Sequence, residues 1–147
     1  MEIRRAVAED VPAIVAMLAD DPLGAEREQP GAPAYAEAFA EIDADPRQFL
    51  AVAVADTEVV GTLQLTFIPG LSRLGATRAQ IEAVRVRSDQ RGGGLGRRLC
   101  EWAIDTARER GAAMVQLTTD ASREDAHRFY ERLGFAASHV GMKLPLR

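Results

Sequence analysis

The run Arg91-Gly92-Gly93-Gly94-Leu95-Gly96 joins a β-rich stretch ending near Arg87 to an amphipathic stretch that begins near Leu95. This joint restricts the fold more than any other segment, because a strand has to enter a tight turn and a helix has to start directly after it. Glycines allow turn conformations and a close backbone approach that a Cβ obstructs. The new helix then offers unpaired N–H groups and the positive end of its dipole. The turn reads as an anion cradle, and phosphate is its natural guest.

Spacing excludes two nucleotide-binding designs. A P-loop requires G-x-x-x-x-G-K-[ST], and the only lysine of the chain is Lys143. A dinucleotide fingerprint requires glycines at the first, third and sixth positions, and counting from Gly92 the sixth position is Arg97. Arg91, Gly92, Gly93, Gly94, Leu95, Gly96 and Arg97 remain as candidates for holding a diphosphate of another kind. The formal net charge is −4, which argues against general nucleic-acid binding. Any anion must therefore be attracted locally, by Arg87, Arg91, Arg97 and Arg98 around the glycines.

Hydrophobic periodicity gives alternating strands and helices without repeats. Strands are expected at Glu2–Val7, Gln48–Ala55, Val59–Phe67, Gln80–Arg87, Met114–Thr118 and His139–Leu146, and helices at Glu9–Ala19, Ala34–Ala44, Leu95–Arg110 and Ser122–Leu133. Asp56-Thr57-Glu58 reads as a hairpin turn. The proline-rich stretch Asp20–Pro33 and the stretch Pro69–Arg78 read as loops. At 147 residues and 47% hydrophobic content, a single domain over residues 1–147 is expected. The order of elements fits a mixed α/β fold with a central, largely antiparallel twisted sheet of about six to seven strands and about four flanking helices.

The pattern [Q/R]-x-x-G-x-[G/A], met by Arg91, Gly94 and Gly96, resembles the acyl-CoA-binding signature of the GNAT superfamily of N-acetyltransferases. The segment Ala126-His127-Arg128-Phe129-Tyr130-Glu131-Arg132-Leu133-Gly134-Phe135 resembles that family's later A-x-x-[FL]-Y-x-x-x-G-F block. The resemblance is clearest from Ile81 to Phe135. It implies a GNAT-like acyl-CoA N-acyltransferase fold in which the fourth and fifth strands splay apart and the pantetheine arm lies between them. It also implies acetyl-CoA as cosubstrate, with no metal, and pairing of the pantetheine amides with the backbone near Val84 and Val86. At the position where many members carry an asparagine that bonds the cofactor arm, this chain has Arg123; Ser122 is a candidate replacement for that contact.

Amine acetylation sets two proton problems. An alkylammonium of pKa about 10.4 is almost wholly protonated at pH 7, so the nucleophile must lose a proton before it attacks. Glu82 alternates with Val84 and Val86 and can face the cleft as general base. A strand-end carboxylate paired with Arg85 or another arginine is the structural alternative, and Asp120 is the leading rival base. Tyr130 occupies the family's tyrosine position, where a phenol protonates the leaving thiolate; a core tyrosine beside Phe129 and Leu133 is the alternative. His127, on a polar helix, reads as a surface residue. Cys100 reads as a small core hydrophobe and not as an acyl-enzyme nucleophile, so direct transfer in a ternary complex is preferred.

The leading function is therefore acetyl transfer to the primary amine of a small molecule. Protein or peptide N-acetylation and a non-catalytic acyl-CoA sensor stay open as alternatives. Arg73 and Arg78 are candidates for recognising an acidic group on the acceptor. A small-molecule amine is the expected partner, nucleic acid and membrane are not, and a homodimer is an assembly the resemblance allows. No apolar run of signal-peptide or membrane-spanning length is present, so a cytoplasmic location is expected.

Overall fold

A continuous apolar run in β2 (Gln48–Ala55) and an alternating one in β3 (Glu58–Ile68) form a hairpin. Its two linking residues, Asp56 and Thr57, both have positive φ (49° and 68°), the turn chemistry that matches the twist of paired strands. The computed structural model describes residues 1–147. Chain order is β1 (Glu2–Arg5), α1 (Val11–Ala19), α2 (Pro22–Arg27), α3 (Ala34–Ala44), β2, β3, α4 (Ser72–Gly75), β4 (Arg78–Val86), α5 (Leu95–Glu109), β5 (Met114–Gln116) and α6 (Glu124–Arg132). Two units are distinguished, Met1–Gln116 and Leu117–Arg147, and each is described by itself.

The first unit is built on a five-stranded sheet in the order β1-β2-β3-β4-β5. Neighbours are antiparallel except β4 and β5, which run parallel. One face packs against α5, whose Leu95, Leu99, Cys100, Ala103 and Ala107 are buried at helical spacing. Against them lie Leu63, Leu65 and Ile81, each 2% exposed or less. Burial of each such side chain contributes roughly 1.5–3 kcal/mol, so this seam anchors the strand that leads to the glycine turn. The opposite face is covered by α1 and α3, where Ile14 joins Ala6 and Val52, with Leu18, Phe39 and Leu50 packed around them.

Two irregularities shape β4. Thr62 faces Arg85 and Gln64 faces Glu82, so the single residue Leu63 lies opposite both Ala83 and Val84. This is a β-bulge, with Ala83 at φ 54°. In an unbroken strand, residues three apart face opposite ways; the extra residue places Glu82 and Arg85 on the same face, that of α1 and α3. The second irregularity is at the far edge. β5 pairs with β4 only from Arg78 to Gln80, and from Ile81 to Val86 no strand lies on that side. The two strands part, as expected of strands four and five.

The fold class expected from the sequence is the one observed, with five strands instead of six to seven. His139–Leu146 forms no strand. Its alternating Val140, Met142, Leu144 and Leu146 are all exposed, and Pro145 lacks the N–H that a ladder needs. Period two specifies a face but not a partner. The expected loop Asp20–Pro33 contains α2, started by Pro22 and capped by Asp21, whose Oδ1 accepts from Gly24 N–H at 2.5 Å. No helix is long and apolar enough to cross a membrane.

Candidate active site

β4 ends by delivering the chain to the glycine turn, and its residues define the site from one end to the other. Glu82 is exposed on the α1 and α3 face and is in no ion pair. The arginine beside it is otherwise engaged: Arg85 Nε lies 3.2 Å from Asp21 Oδ2, at the start of α2. The expected alternative of a Glu82–Arg85 pair is therefore not what forms. Next to Glu82, Ala83 borders an apolar cavity of about 170 Å³ under α1 and α3, lined also by Ile14, Leu18, Tyr35, Phe39 and Gln64.

At the edge without a strand, the Val84 carbonyl accepts from Arg85 Nη1 at 2.9 Å and the Val86 carbonyl from Arg91 Nε at 3.2 Å. Arg91 also donates to the Asp20 carbonyl at 3.3 Å and lies 3.6 Å from its carboxylate. Arg91 and Arg85 together tie the junction of α1 and α2 to β4 and to the glycine turn. Non-local partners of this kind leave no mark in the local sequence.

Gly92 and Gly94 have φ of 85° and 83°, and a Cβ at either would meet no protein atom within 4 Å. Gly94 is the N-cap of α5; the N–H groups of the next residues begin the helix without intrahelical partners. Gly93, Leu95 and Arg98 border a second cavity, of about 180 Å³. Leu95 is buried and anchors the first turn, while Gly96 is half-buried. The cationic ring expected around the glycines is largely neutralised. Arg87 pairs with Asp89 and Glu58, and Arg97 with Glu101. Arg98 has no carboxylate partner, so helix N–H groups and Arg98 carry the positive potential.

In the second unit, Tyr130 stacks edge-on against Phe129 and Phe135, with ring centroids 5.1 and 5.8 Å apart. Asp120 Oδ1 accepts from Ser122 Oγ at 2.5 Å and from Ser122 N–H at 2.9 Å. These bonds, the hydroxyl's first, hold the Asp120 carboxyl below the usual carboxylate range. Asp120 and Ser122 thus fasten the turn before α6, where Arg123 is the N-cap and its carbonyl accepts from His127 N–H.

A family model described as the acetyltransferase (GNAT) family matches residues 12–135, a span that runs through both units. The chain belongs to the GNAT acetyltransferase family. Among its relatives, the aminoalkylphosphonate N-acetyltransferase of Salmonella typhimurium is 31% identical over 138 residues, covering 94% of this chain and 86% of that protein. Among solved structures, one described as a transcriptional regulator from Bacillus halodurans C-125 superposes with a TM-score of 0.96 at 49% identity over 99% of both chains. A putative acetyltransferase from Agrobacterium tumefaciens matches with 0.86 at 29% identity, again over 99% of both.

This GNAT protein is an N-acetyltransferase, and its family generally takes the acetyl group from acetyl-CoA. An acyl-CoA fits the residues present. The edge of β4 without a strand can pair with an amide-bearing arm, and the glycine turn accommodates a diphosphate where side chains would intrude. Cys100 is fully buried, and burial pushes its thiol up to about 12. Sequence reasoning missed Asp20 and Asp21 as partners of the site's arginines, and also missed the bulge. No glycine marks it, since alanine itself adopts the left-handed conformation at position 83.

Proposed function

We propose that this chain transfers the acetyl group of acetyl-CoA to the primary amine of a small molecule by direct attack in a ternary complex, and that both units act together as one catalytic domain. The observation that carries this reading is the course of β4. The strand loses its neighbour after Gln80, presents Glu82 without a cationic partner, and ends at a glycine turn that opens a helix. A family match running through both units supports treating them as one domain.

In the proposed roles, the backbone of Val84 and Val86 pairs with the pantetheine arm. Gly92, Gly93, Gly94, Leu95 and Gly96 direct N–H groups at the diphosphate, and Arg91 and Arg97 flank it. Ser122 lies on the cofactor path. Bound acetyl-CoA supplies an activated thioester. Glu82 takes a proton from the ammonium, directly or through water, and the freed nitrogen forms the new C–N bond. As the C–S bond breaks, the Tyr130 hydroxyl gives its proton to sulfur, and the second proton lost by the nitrogen restores the phenol. A protonated, buried Cys100 supports direct transfer over a route through a Cys100 acyl-enzyme.

A small acceptor is favoured over a peptide because the Salmonella relative covering most of the chain is described as acting on aminoalkylphosphonates. Following CoA release with a panel of small amines, peptides and a protein substrate tests the proposal. Turnover confined to small amines is the expected result. Turnover on peptides alone would reassign the acceptor, and acyl-CoA binding with no transfer to any of them would point to a sensor.

A further inference from the structure

Resting on that reading, we propose that the acceptor is a short zwitterionic amine, with its ammonium received by Glu82 and its acidic group by Arg78 and Gln80. Directly opposed residues on neighbouring strands share a face. Four such rows cross the face of the sheet that α1 and α3 cover. Arg4, Val52, Thr62 and Arg85 form one, and Leu50, Gln64 and Glu82 the next. Then come Gln48, Thr66, Gln80 and Gln116, and last Ile68, Arg78 and Met114. Beyond Glu82, the row Gln48, Thr66, Gln80 and Gln116 is polar throughout, and Arg78 follows it on β4.

The polar side is organised by hydrogen bonds. Arg78 Nη1 donates to Gln116 Oε1 at 3.4 Å, and Gln116 Nε2 donates to Gln80 Oε1 at 3.1 Å. With its oxygen occupied, Gln80 has its amide N–H groups to offer, and Arg78 keeps most of its donors. Of the three arginines the sheet carries on this face, Arg4 pairs with Asp10 and Arg85 with Asp21. Arg78 has no carboxylate partner.

Positions 78, 80 and 82 therefore present a cation, an amide donor and a carboxylate in line along one strand. Arg78 and Glu82 are about 13 Å apart at their Cα atoms, a span that two inclined side chains and a short zwitterion fill. The reverse orientation is disfavoured. The cavity on the other side of Glu82 is lined by no charged residue, and an acid group placed there would lose its hydration without a partner. A carboxylate, phosphate or phosphonate satisfies the same donors, and forked guanidinium geometry suits each of them.

The test compares 2-aminoethylphosphonate and β-alanine with ethanolamine, an amine of similar length that lacks an acidic group, as acceptors for the wild type, Arg78→Gln and Arg78→Lys. Calorimetric titration of 2-aminoethylphosphonate into the CoA-saturated protein runs alongside. The wild type is expected to favour the acidic amines, and Arg78→Gln to raise their KM about tenfold or more, with kcat and the KM for ethanolamine nearly unchanged. Arg78→Lys should restore part of the preference. Gln80→Ala, which leaves the guanidinium in place, should give a smaller rise in the same KM. Equal KM values for the acidic amines and ethanolamine in the wild type, or a preference that survives Arg78→Gln, would overturn the proposal while leaving acetyl transfer intact. Arg78-dependent binding of the phosphonate without any CoA release would uphold the acceptor site and sink the transferase reading instead.

Discussion

The Arg85 guanidinium lies 3.2 Å from the Asp21 carboxylate, and this pairing keeps Arg85 from neutralising Glu82 on the same face of β4. In the proposed mechanism Glu82 is the general base. Glu82→Gln is expected to lower kcat about a hundredfold at neutral pH, within the usual range for a general base, with CoA affinity unchanged. The deficit should shrink as pH rises toward the pKa of the acceptor amine, where solvent does the deprotonation. A deficit constant from pH 7 to 10 would remove Glu82 from the base role.

The Arg4–Asp10 pair makes stability depend on acid. Asp10 is buried and accepts from Arg4 Nη1 at 2.8 Å, Arg4 Nη2 at 3.2 Å and Val7 N–H at 2.8 Å. The hydrogen bond from Arg4 leads in holding its carboxyl below the usual range. A group depressed in the folded state stabilises above its unfolded pKa, about 3.9 for aspartate, and loses that contribution as pH falls through the folded value. Urea melts at pH 7 and pH 3 should show Asp10→Asn weaker than wild type by about 2 kcal/mol at pH 7, and by less at pH 3.

Gly94 should tolerate a side chain in the fold far better than in the complex. Its left-handed φ makes Gly94→Ala cost about 1 kcal/mol, and no protein atom stands in the way of a Cβ. Gly94→Asp adds bulk and negative charge where the diphosphate is expected. Calorimetry should find CoA affinity reduced about a hundredfold or more in Gly94→Asp, with the Tm within about 8 °C of wild type. Unaltered affinity would relocate the diphosphate.

Tyr130→Phe is expected to leave CoA binding intact and to reduce kcat by about tenfold or more. The ring's edge-on contacts with Phe129 and Phe135 survive the loss of the hydroxyl, so stability should hold. Wild-type turnover in this variant would reduce Tyr130 to a packing residue.

Cys100, with its thiol raised to about 12, is roughly one part in ten thousand thiolate at pH 8 and is sealed under α5. Iodoacetamide should leave it unlabelled in the native protein and label it in urea. Cys100→Ala should cost about 1 kcal/mol of stability and keep turnover within about twofold; abolished turnover in a folded variant would bring the acyl-enzyme route back.

What could be read in advance is what period and turn chemistry encode. The hairpin around Asp56 and Thr57, the amphipathic α5 and the glycine turn at its start each announce themselves over a few adjacent residues. Helix α2 did not, because six residues with a proline and a glycine resemble a loop until the Asp21 cap is seen. The alternation of Val140 to Leu146 resembled a strand for the opposite reason, since a pattern needs a partner to become a ladder. Around the site, the charges of Arg85, Arg87, Arg91 and Arg97 were countable, but their neutralisation by Asp21, Glu58, Asp89, Asp20 and Glu101 depends on chain segments brought together only by folding in most of these cases.

Ala83 governs the parity of β4. Glu82 and Arg85 are an odd number of positions apart, and their common orientation depends on one surplus residue being taken up in the kink. Shortening the strand by deleting Ala83 would straighten it yet keep Arg85 and Val86 on their present sides. Inserting a residue there would exchange those sides and drive a guanidinium among the leucines beneath α5. A single deletion can therefore separate the contribution of curvature from that of sidedness.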